Sequence, residues 1–490
     1  MSSSLAQSHK VLFLNTLAFI LCFACWTMNG VLVAFLTDKG IFDFSVVQIG
    51  WLLGIPVLTG SLLRLPLGIM TDRYGGKYIF IGLLLFCALF LFLLPFATSF
   101  LMFATISFMW GMVGASFAVG VGYTSVWYPK EWQGRALGIF GVGNAGAALT
   151  TFIAPSLLNH FSQSDPQNGW KMLPVIYGIS LIVVAVLMLL FAKNKKYENV
   201  STSLAYELSP LKSVRVWRFG LYYFLVFGFF IAFSQWLVPY FMNVYATSLV
   251  VAGLFASCFS LPGGVIRAVG GFLADKFGAR KVMYWVLGSS VIISFLLMFP
   301  KMDIFTGGVG VSSGGKGTVT EVAPDRIVVG TKEYKVNIAG QGVDLENNNS
   351  VFPSKASWQE VVVKQNQDVK KKELLAKGIT HIHFSANMWI FIVLVFMLGF
   401  SWAIGKAAVY RYIPDYFPKQ VGVVGGIVGL IGGLGGFVGP IIFGYILNYT
   451  GFWTSSWIFI FLLSILCLAL LIHAVSYLNK KKTSEIQNNI

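Results

Sequence analysis

The stretch GSLLRLPLGIMTDRYGGK, residues 60–77, sets an arginine, Arg64, inside a run apolar enough to lie in lipid. An unpaired guanidinium in a bilayer is costly, so Arg64 needs something to meet. RAVGGFLADKFGARK, residues 267–281, repeats the pattern R-x3-G-x3-D-[RK]-x-G in full. Arg64 aligns with Arg267, Gly68 with Gly271, Asp72 with Asp275 and Gly75 with Gly278, all at an offset of 203 residues.

The surrounding composition says what kind of chain carries this repeat. Of 490 residues, 56% are hydrophobic and only 11% charged, against about 25% charged in a soluble domain. Twelve windows are long and apolar enough to cross a bilayer: 11–36, 46–70, 77–97, 99–128, 134–158, 171–193, 215–244, 248–273, 281–300, 386–410, 420–447 and 454–478. They are helices 1 to 12 below. The first is too long for a signal-peptide core and no small-residue cleavage site follows it, so a retained helix is expected. The repeated arginines fall on helices 2 and 8, the second of each group of six. The fold class expected is therefore an all-α membrane protein of two pseudo-symmetric six-helix bundles, related by an axis along the membrane normal, with a site between them near the midplane. The bundles are 1–193 and 215–490, joined by a polar cytoplasmic linker at 194–214.

The formal charge of +16 raises the question of nucleic acid. Outside residues 301–385 there are 24 Lys and Arg, of which 19 fall in the N-tail, the even-to-odd loops and the C-tail. Two, Lys39 and Lys171, fall on the other side, and three, Arg64, Arg267 and Lys406, lie within helices. That bias predicts both termini in the cytoplasm. The basicity reflects topology and contact with anionic membrane lipids, and no nucleic-acid partner is expected.

Residues 301–385 differ in kind, being polar and rich in both charges. GTVTEV, DRIVVG and KEYKVNI alternate like short strands between Gly and Asn turns, and VKKKELLAKG reads as a short helix. Because the insert follows helix 9, a small β-rich extracytoplasmic domain is expected. GVSSGGKG (310–317) nearly matches a phosphate loop, but Gly317 replaces the required Ser or Thr and no apolar strand precedes it. HIH (381–383) is a lone alternating pair, and no metal or other cofactor is expected. The five cysteines all lie in apolar helices, and Cys22 and Cys25 read as small core residues rather than a redox pair. With no nucleophile–base pair either, an enzyme is not expected.

Arg64 and Arg267 each stand eight residues before an aspartate that should mark the cytoplasmic interface, about 12 Å of helix. That is too deep for easy snorkelling. The helical body has ten carboxylates, Asp38, Asp43, Asp72, Glu131, Asp165, Glu198, Glu207, Asp275, Asp415 and Glu485, and the topology puts each in a loop, tail or interface. The natural counter-ion of the two arginines is then a transported anion. A guanidinium is planar, always charged and presents a fork of N–H donors to a flat oxyanion. The competing reading is that each arginine satisfies a helix end or a glycine-opened backbone. Lys406 either adds a third positive charge toward the cytoplasmic mouth or snorkels. Helix 11 carries Gly425, Gly426, Gly429, Gly432, Gly433, Gly435, Gly436 and Gly439, which permit close helix approach. Pro56, Pro66, Pro155, Pro239, Pro262 and Pro440 are candidate kinks.

GIMTDRYGGK (68–77) resembles the helix 2–3 loop motif of the major facilitator superfamily. With GIFGVGNAGAALTTFIAP (138–155) on helix 5 and GGIVGLIGGLGGFVGPIIFG (425–444) on helix 11, the chain resembles the nitrate/nitrite porters of that superfamily over helices 1–12. The resemblance implies that Arg64 and Arg267 clamp the anion, that Asn144, Tyr223, Phe227, Phe117, Gly141 and Gly429 line its site, and that Gly68, Asp72, Arg73, Lys77, Asp275 and Arg280 latch the cytoplasmic helix ends. Two departures stand out: Gly405-Lys406-Ala407 replaces the Gly-Asn-Gly often found on helix 10, and Gly429 replaces a serine of some members.

The function expected is secondary transport of nitrate, nitrite or both by alternating access, in the cell's inner (plasma) membrane, by a monomer. An empty two-arginine site resists closure and an anion relieves it, which favours exchange; proton-coupled nitrate symport stays open. Rival readings are a carrier of another small anion, such as cyanate, formate or a short carboxylate, and a non-transporting sensor with the insert as its ectodomain.

Overall fold

The computed structural model describes residues 2–196, 209–299, 301–338, 354–385, 387–417 and 421–487; residues 197–208 of the expected linker, with Glu198 and Glu207, lie outside the described residues. Eleven helices among them are long and apolar enough to span a membrane: Ala6–Asp38, Val46–Tyr74, Gly76–Phe96, Phe100–Ser125, Trp132–Ser164, Gly169–Phe191, Val214–Val244, Ala279–Leu297, Met388–Tyr416, Val423–Thr450 and Ser455–Tyr477. A twelfth, helix 8, is the pair Leu249–Val265 and Val269–Phe277, bent by 52°. Continuous apolar runs become helices because a helix satisfies its own backbone where no water can.

The repeat is written into the backbone itself. Ser45 and Ser248, offset by 203, cap helices 2 and 8, their side chains accepting from the backbone N–H of Gln48 and Val251. Leu63 (φ −80°, ψ −3°) and Ile266 (φ −79°, ψ −3°) interrupt the two helices one residue before each arginine. Gly75 (φ 90°, ψ 143°) and Gly278 (φ 86°, ψ 135°) then end both helices in a conformation that only glycine adopts readily. Other breaks fall near the middle of their spans: a 3₁₀ turn at Val142–Ala145 in helix 5 and a π turn at Phe224–Phe229 in helix 7. Pro56 lacks the N–H that would bond the Leu52 carbonyl, and the amide of Asn29 donates to that oxygen at 2.7 Å instead.

Small residues let the bundles meet backbone to backbone on the side away from Asp72 and Asp275. A methyl added at Gly50 or Gly54 of helix 2 would run into the carbonyls of Pro440 or Phe437 on helix 11. The matching seam sets Gly253 and Gly264 of helix 8 against Thr151 and Ala145 of helix 5.

The helices form one compact unit, Met1–Met298 with Ile392–Ile490, and Phe299–Phe391 forms a second. The second unit holds seven strands: β1 Lys301–Ser312, β2 Gly317–Val322, β3 Arg326–Val329, β4 Lys332–Lys335, β5 Ser354–Val361, β6 Asp368–Val369 and β7 Leu374–Ser385. They make a three-stranded sheet in the order β1-β7-β5 and a four-stranded one in the order β4-β3-β2-β6, around Val319, Ile327, Val369 and Leu375. The helix expected at VKKKELLAKG is not formed. Lys370–Glu373 is a turn, with Lys372 at φ 72°, and Leu374 onward becomes the central strand β7. Ladder bonds on both sides and burial of Leu375 and Ala376 outweigh the helical leaning of the lysine run. GVSSGGKG spans the β1–β2 connection, and His381 of the HIH pair stacks on Phe305 with centroids 4.2 Å apart.

Candidate functional site

Each arginine reaches across to the opposite bundle. Arg64 is 3% exposed and donates from Nη1 to the Gly429 carbonyl of helix 11 at 2.9 Å. Arg267 packs its stem against helix 5, where a methyl added at Gly141 would lie 3.5 Å from Cδ. The two share one ring: Phe117 of helix 4 lies 5.7 Å from Cζ of Arg64 and 5.2 Å from Cζ of Arg267. Phe227, 5.0 Å away, and Trp26, 5.4 Å away, also face the Arg64 guanidinium. Tyr410 faces Arg267 at 5.6 Å. Such faces stabilise a cation through the ring quadrupole, more so away from water.

The cage around them is built from adjacent turns. Tyr223 and Phe227 of helix 7 stack at 4.8 Å and 14°, brought together by the four-residue spacing where the π turn begins. Tyr410 packs edge-on against Tyr223 at 5.0 Å and donates its hydroxyl to the Gly425 carbonyl at 3.0 Å. Gly429 lies where a side chain would crowd the Tyr410 hydroxyl. Asn144, fully buried on the 3₁₀ turn, donates Nδ2 back to the Gly141 carbonyl at 3.0 Å, and its Oδ1 has no partner among the described residues.

The donors left over define the chemistry. Among the described residues no ion pair joins Arg64, Arg267 or Lys406 to a carboxylate. Nε and Nη2 of Arg64 and Nη1 of Arg267 are buried with no acceptor among the described residues. The backbone alternative is realised in part, through Gly429, but accounts for one donor of Arg64. Buried donors lacking an acceptor are costly, and a flat oxyanion supplies several acceptors at once.

Of the two expectations for Lys406, snorkelling is not what the structure shows: the residue is 0% exposed, donates Nζ to the Gly263 carbonyl at 2.7 Å, and lies 3.3 Å from the Phe230 centroid. Its stem is drawn into the bundle because helix 8 bends just past Gly263 and presents a carbonyl there.

The expected latch residues divide. Asp275 accepts from Arg411 Nε at 2.7 Å, and Arg411 also pairs Asp415 at 2.6 Å, tying helix 8 to helix 10. Arg280 donates to the Tyr416 hydroxyl at 3.4 Å, and Lys77 to the Leu189 carbonyl at 2.9 Å. Asp72 lies beside Gly122, Gly68 beside Ala118, and Arg73 is exposed. Sequence reasoning missed Trp26, Tyr410 and Arg411. Tyr410 follows Lys406 by four residues and Arg411 precedes Asp415 by four, a spacing that placed them beside named residues; Trp26 has no such signal.

A profile described as the Major Facilitator Superfamily matches residues 16–324 and 374–489. The chain is 36% identical over 423 residues to the "Probable nitrate/nitrite antiporter NarK1" of Thermus thermophilus, covering 85% of this chain and 80% of that protein. It is 32% identical over 324 residues to the "Nitrite extrusion protein" of Bacillus subtilis, covering 65% and 80%. Among solved structures, an inward-facing bacterial homolog of the human lysosomal transporter Spinster matches with a TM-score of 0.65 at 13% identity, over 96% of this chain and 97% of that one. The nucleoside transporter NupG matches with a TM-score of 0.62 at 11% identity, over 95% and 99%. At these identities the structures speak to the fold alone.

Proposed function

The chain belongs to the major facilitator superfamily, in its nitrate/nitrite porter family, and on that premise we propose that it carries nitrate, nitrite or both across the cell's inner (plasma) membrane by alternating access. The proposal includes a monomer with both termini in the cytoplasm, two bundles of residues 1–193 and 215–490 joined at 194–214, and the insert 301–385 facing outside. Arg64 and Arg267 hold the anion, Phe117 lies between them, and Phe227, Tyr223, Gly141, Asn144 and Gly429 complete the walls. The observation that carries this reading is the pair of guanidiniums, one from each bundle, against one ring, with three N–H-bearing nitrogens lacking an acceptor among the described residues.

The mechanism follows from the charges. Two fixed cations at membrane depth repel when the bundles close, and an anion between them relieves that repulsion. Because each arginine also touches the opposite bundle, the anion is held by contacts that rocking makes and breaks. Asp275, Arg411 and Asp415, with Arg280, Lys77, Asp72, Arg73 and Gly68, set the balance between states at the cytoplasmic ends. The test is nitrate and nitrite counterflow in proteoliposomes with Arg64→Lys and Arg267→Lys. Each keeps a charge and loses the fork, and uptake is expected to fall by about 10-fold or more. Both variants transporting like wild type would overturn the reading.

A further inference from the structure

Helices 4 and 10 carry a second internal match. GASFAVGVGYTSVWYP (114–129) aligns with GFSWAIGKAAVYRYIP (399–414), pairing Gly114 with Gly399, Ser116 with Ser401, Ala118 with Ala403, Gly120 with Gly405 and Pro129 with Pro414. At this offset of 285, Lys406 stands where helix 4 has Val121. The helix framework therefore has no need of a cation at this position, since its twin supports the other bundle with an apolar residue. Yet the lysine is wholly buried, one of its three N–H donors taken by the Gly263 carbonyl and the ammonium set on the Phe230 face.

The groups around it are few. Helix 8 brings Arg267, one turn beyond the Gly263 carbonyl that accepts from Nζ, so a guanidinium and the ammonium stand at adjoining turns of the same helix. Helix 10 itself brings Tyr410, which faces Arg267 and, through Tyr223 of helix 7, connects to the surroundings of Arg64. Helix 9 presents Val286, Ser289 and Ser290 toward helix 10, and helix 5 presents Ala145 toward Gly264. Among the described residues no carboxylate pairs with Lys406. Of these groups a guanidinium keeps its proton at any physiological pH, whereas an ammonium can release one and remain a neutral amine that still hydrogen-bonds.

Resting on the nitrate/nitrite reading above, we propose that Lys406 is the proton-carrying group that couples anion uptake to a proton. With the anion between the arginines, the Lys406 ammonium is favoured, so anion and proton bind together; by reciprocity each raises the affinity for the other. When the anion leaves on the inner side, the repulsion from Arg267 is no longer offset. The Nζ–H bond then breaks, the proton passes to cytoplasmic water and the electron pair stays on the nitrogen. The empty carrier returns with a neutral amine and takes a proton from water on the outer side. The loaded site (two guanidiniums, one ammonium, one anion) and the returning site (two guanidiniums, one amine) have the same net charge, whereas an empty site with the ammonium has one more. Return without proton release is therefore the disfavoured step.

The experiment uses the full chain in proteoliposomes, with ¹⁵N-nitrate uptake and a lumenal pH dye. For wild type, an acid-outside gradient of one unit should drive accumulation, with a ceiling of about tenfold for one proton per nitrate, and nitrate entry should acidify the lumen. Lys406→Arg keeps the charge and cannot release it; Lys406→Asn removes it. Both are expected to bring gradient-driven accumulation down to the collapsed-gradient level while nitrate-for-nitrate exchange remains measurable. Accumulation by Lys406→Arg equal to wild type would overturn the proposal, as would wild-type exchange with no response to the gradient. Wild type that exchanges neither nitrate nor nitrite would instead sink the anion assignment. Should the variants fail to fold, purified wild type in weak buffer decides: nitrate addition should take up protons, and their absence would overturn the role of Lys406.

Discussion

Leu63 and Ile266 share a backbone conformation to within a few degrees, and so do Gly75 and Gly278, yet the arginines between them stand in unlike company. Arg64 is tied to a carbonyl of the opposite bundle and ringed by Trp26, Phe117 and Phe227. Arg267 has Phe117 and Tyr410, and a second buried cation nearby. Duplication explains the shared parts: two equal helices bring two equal charges to one depth. It does not explain the differences, which come from helices 1, 7, 10 and 11: Trp26, Phe227 and the Gly429 carbonyl meet Arg64, whereas Tyr410 and Lys406 of helix 10 stand beside Arg267 or its helix. On the proposed reading both bundles hold the anion, and one of them also carries the extra charge that can change.

The sharpest way to break this comparison is to remove each arginine in turn. Arg64→Ala and Arg267→Ala should each lower nitrate counterflow by about 10- to 100-fold, as expected for the loss of charge-assisted contacts worth roughly 1.5–3 kcal/mol. If one of them transports normally, the two bundles do not share the anion. The next effect belongs to the seams. Gly50→Val would drive a side chain into the Pro440 carbonyl and Gly253→Val into that of Thr151. Overpacking of this kind costs about 1–3 kcal/mol, so turnover should fall roughly tenfold in each, with equal expression checked by size-exclusion. A defect in one seam only would mean that the bundles do not rock symmetrically. Smaller again is Phe117→Leu, which removes the ring common to both guanidiniums. Each exposed-to-buried cation–π contact is worth about 0.5–2 kcal/mol, so the KM for nitrate should rise about 3- to 30-fold with little change in maximal rate.

Much of this was legible because it rests on spacing. Eight residues from Arg64 to Asp72 and from Arg267 to Asp275 set the two arginines at matching places on matching helices, and the apolar windows foretold the spanning helices. What spacing cannot give is where a side chain turns. Lys406 lies nine residues before Asp415, a spacing close to that of the arginines, but its burial depends on the Gly263 carbonyl at the bend of helix 8. Trp26 and Tyr410 were hidden by abundance, since 14 Trp, 19 Tyr and 44 Phe leave no single aromatic conspicuous. At VKKKELLAKG the local leaning toward helix lost to a sheet whose partner residues lie up to 70 positions away, Gly308 opposite Gly378.

The two smallest effects test which parts are dispensable. Asp275→Asn breaks an ion pair whose partners are 40% and 66% exposed. Such pairs contribute at most about 1 kcal/mol, so exchange should change by no more than about fivefold, and a complete loss would show that the Asp275–Arg411 tie is a gate rather than a bias. Smaller still is removal of residues 305–380. The insert enters and leaves at paired positions, Lys301 opposite Ser385 and Asp303 opposite His383. Deleting the segment and joining its ends by a short Gly/Ser turn therefore leaves a hairpin stub whose closure entropy is small. None of the arginines, aromatics or glycines of the proposed site lies in the deleted segment, so nitrate counterflow should stay within about twofold of wild type. A carrier silenced by that deletion, yet still folded by circular dichroism, would shift the weight from transport to sensing, because the part with no share in the anion cage would then control it.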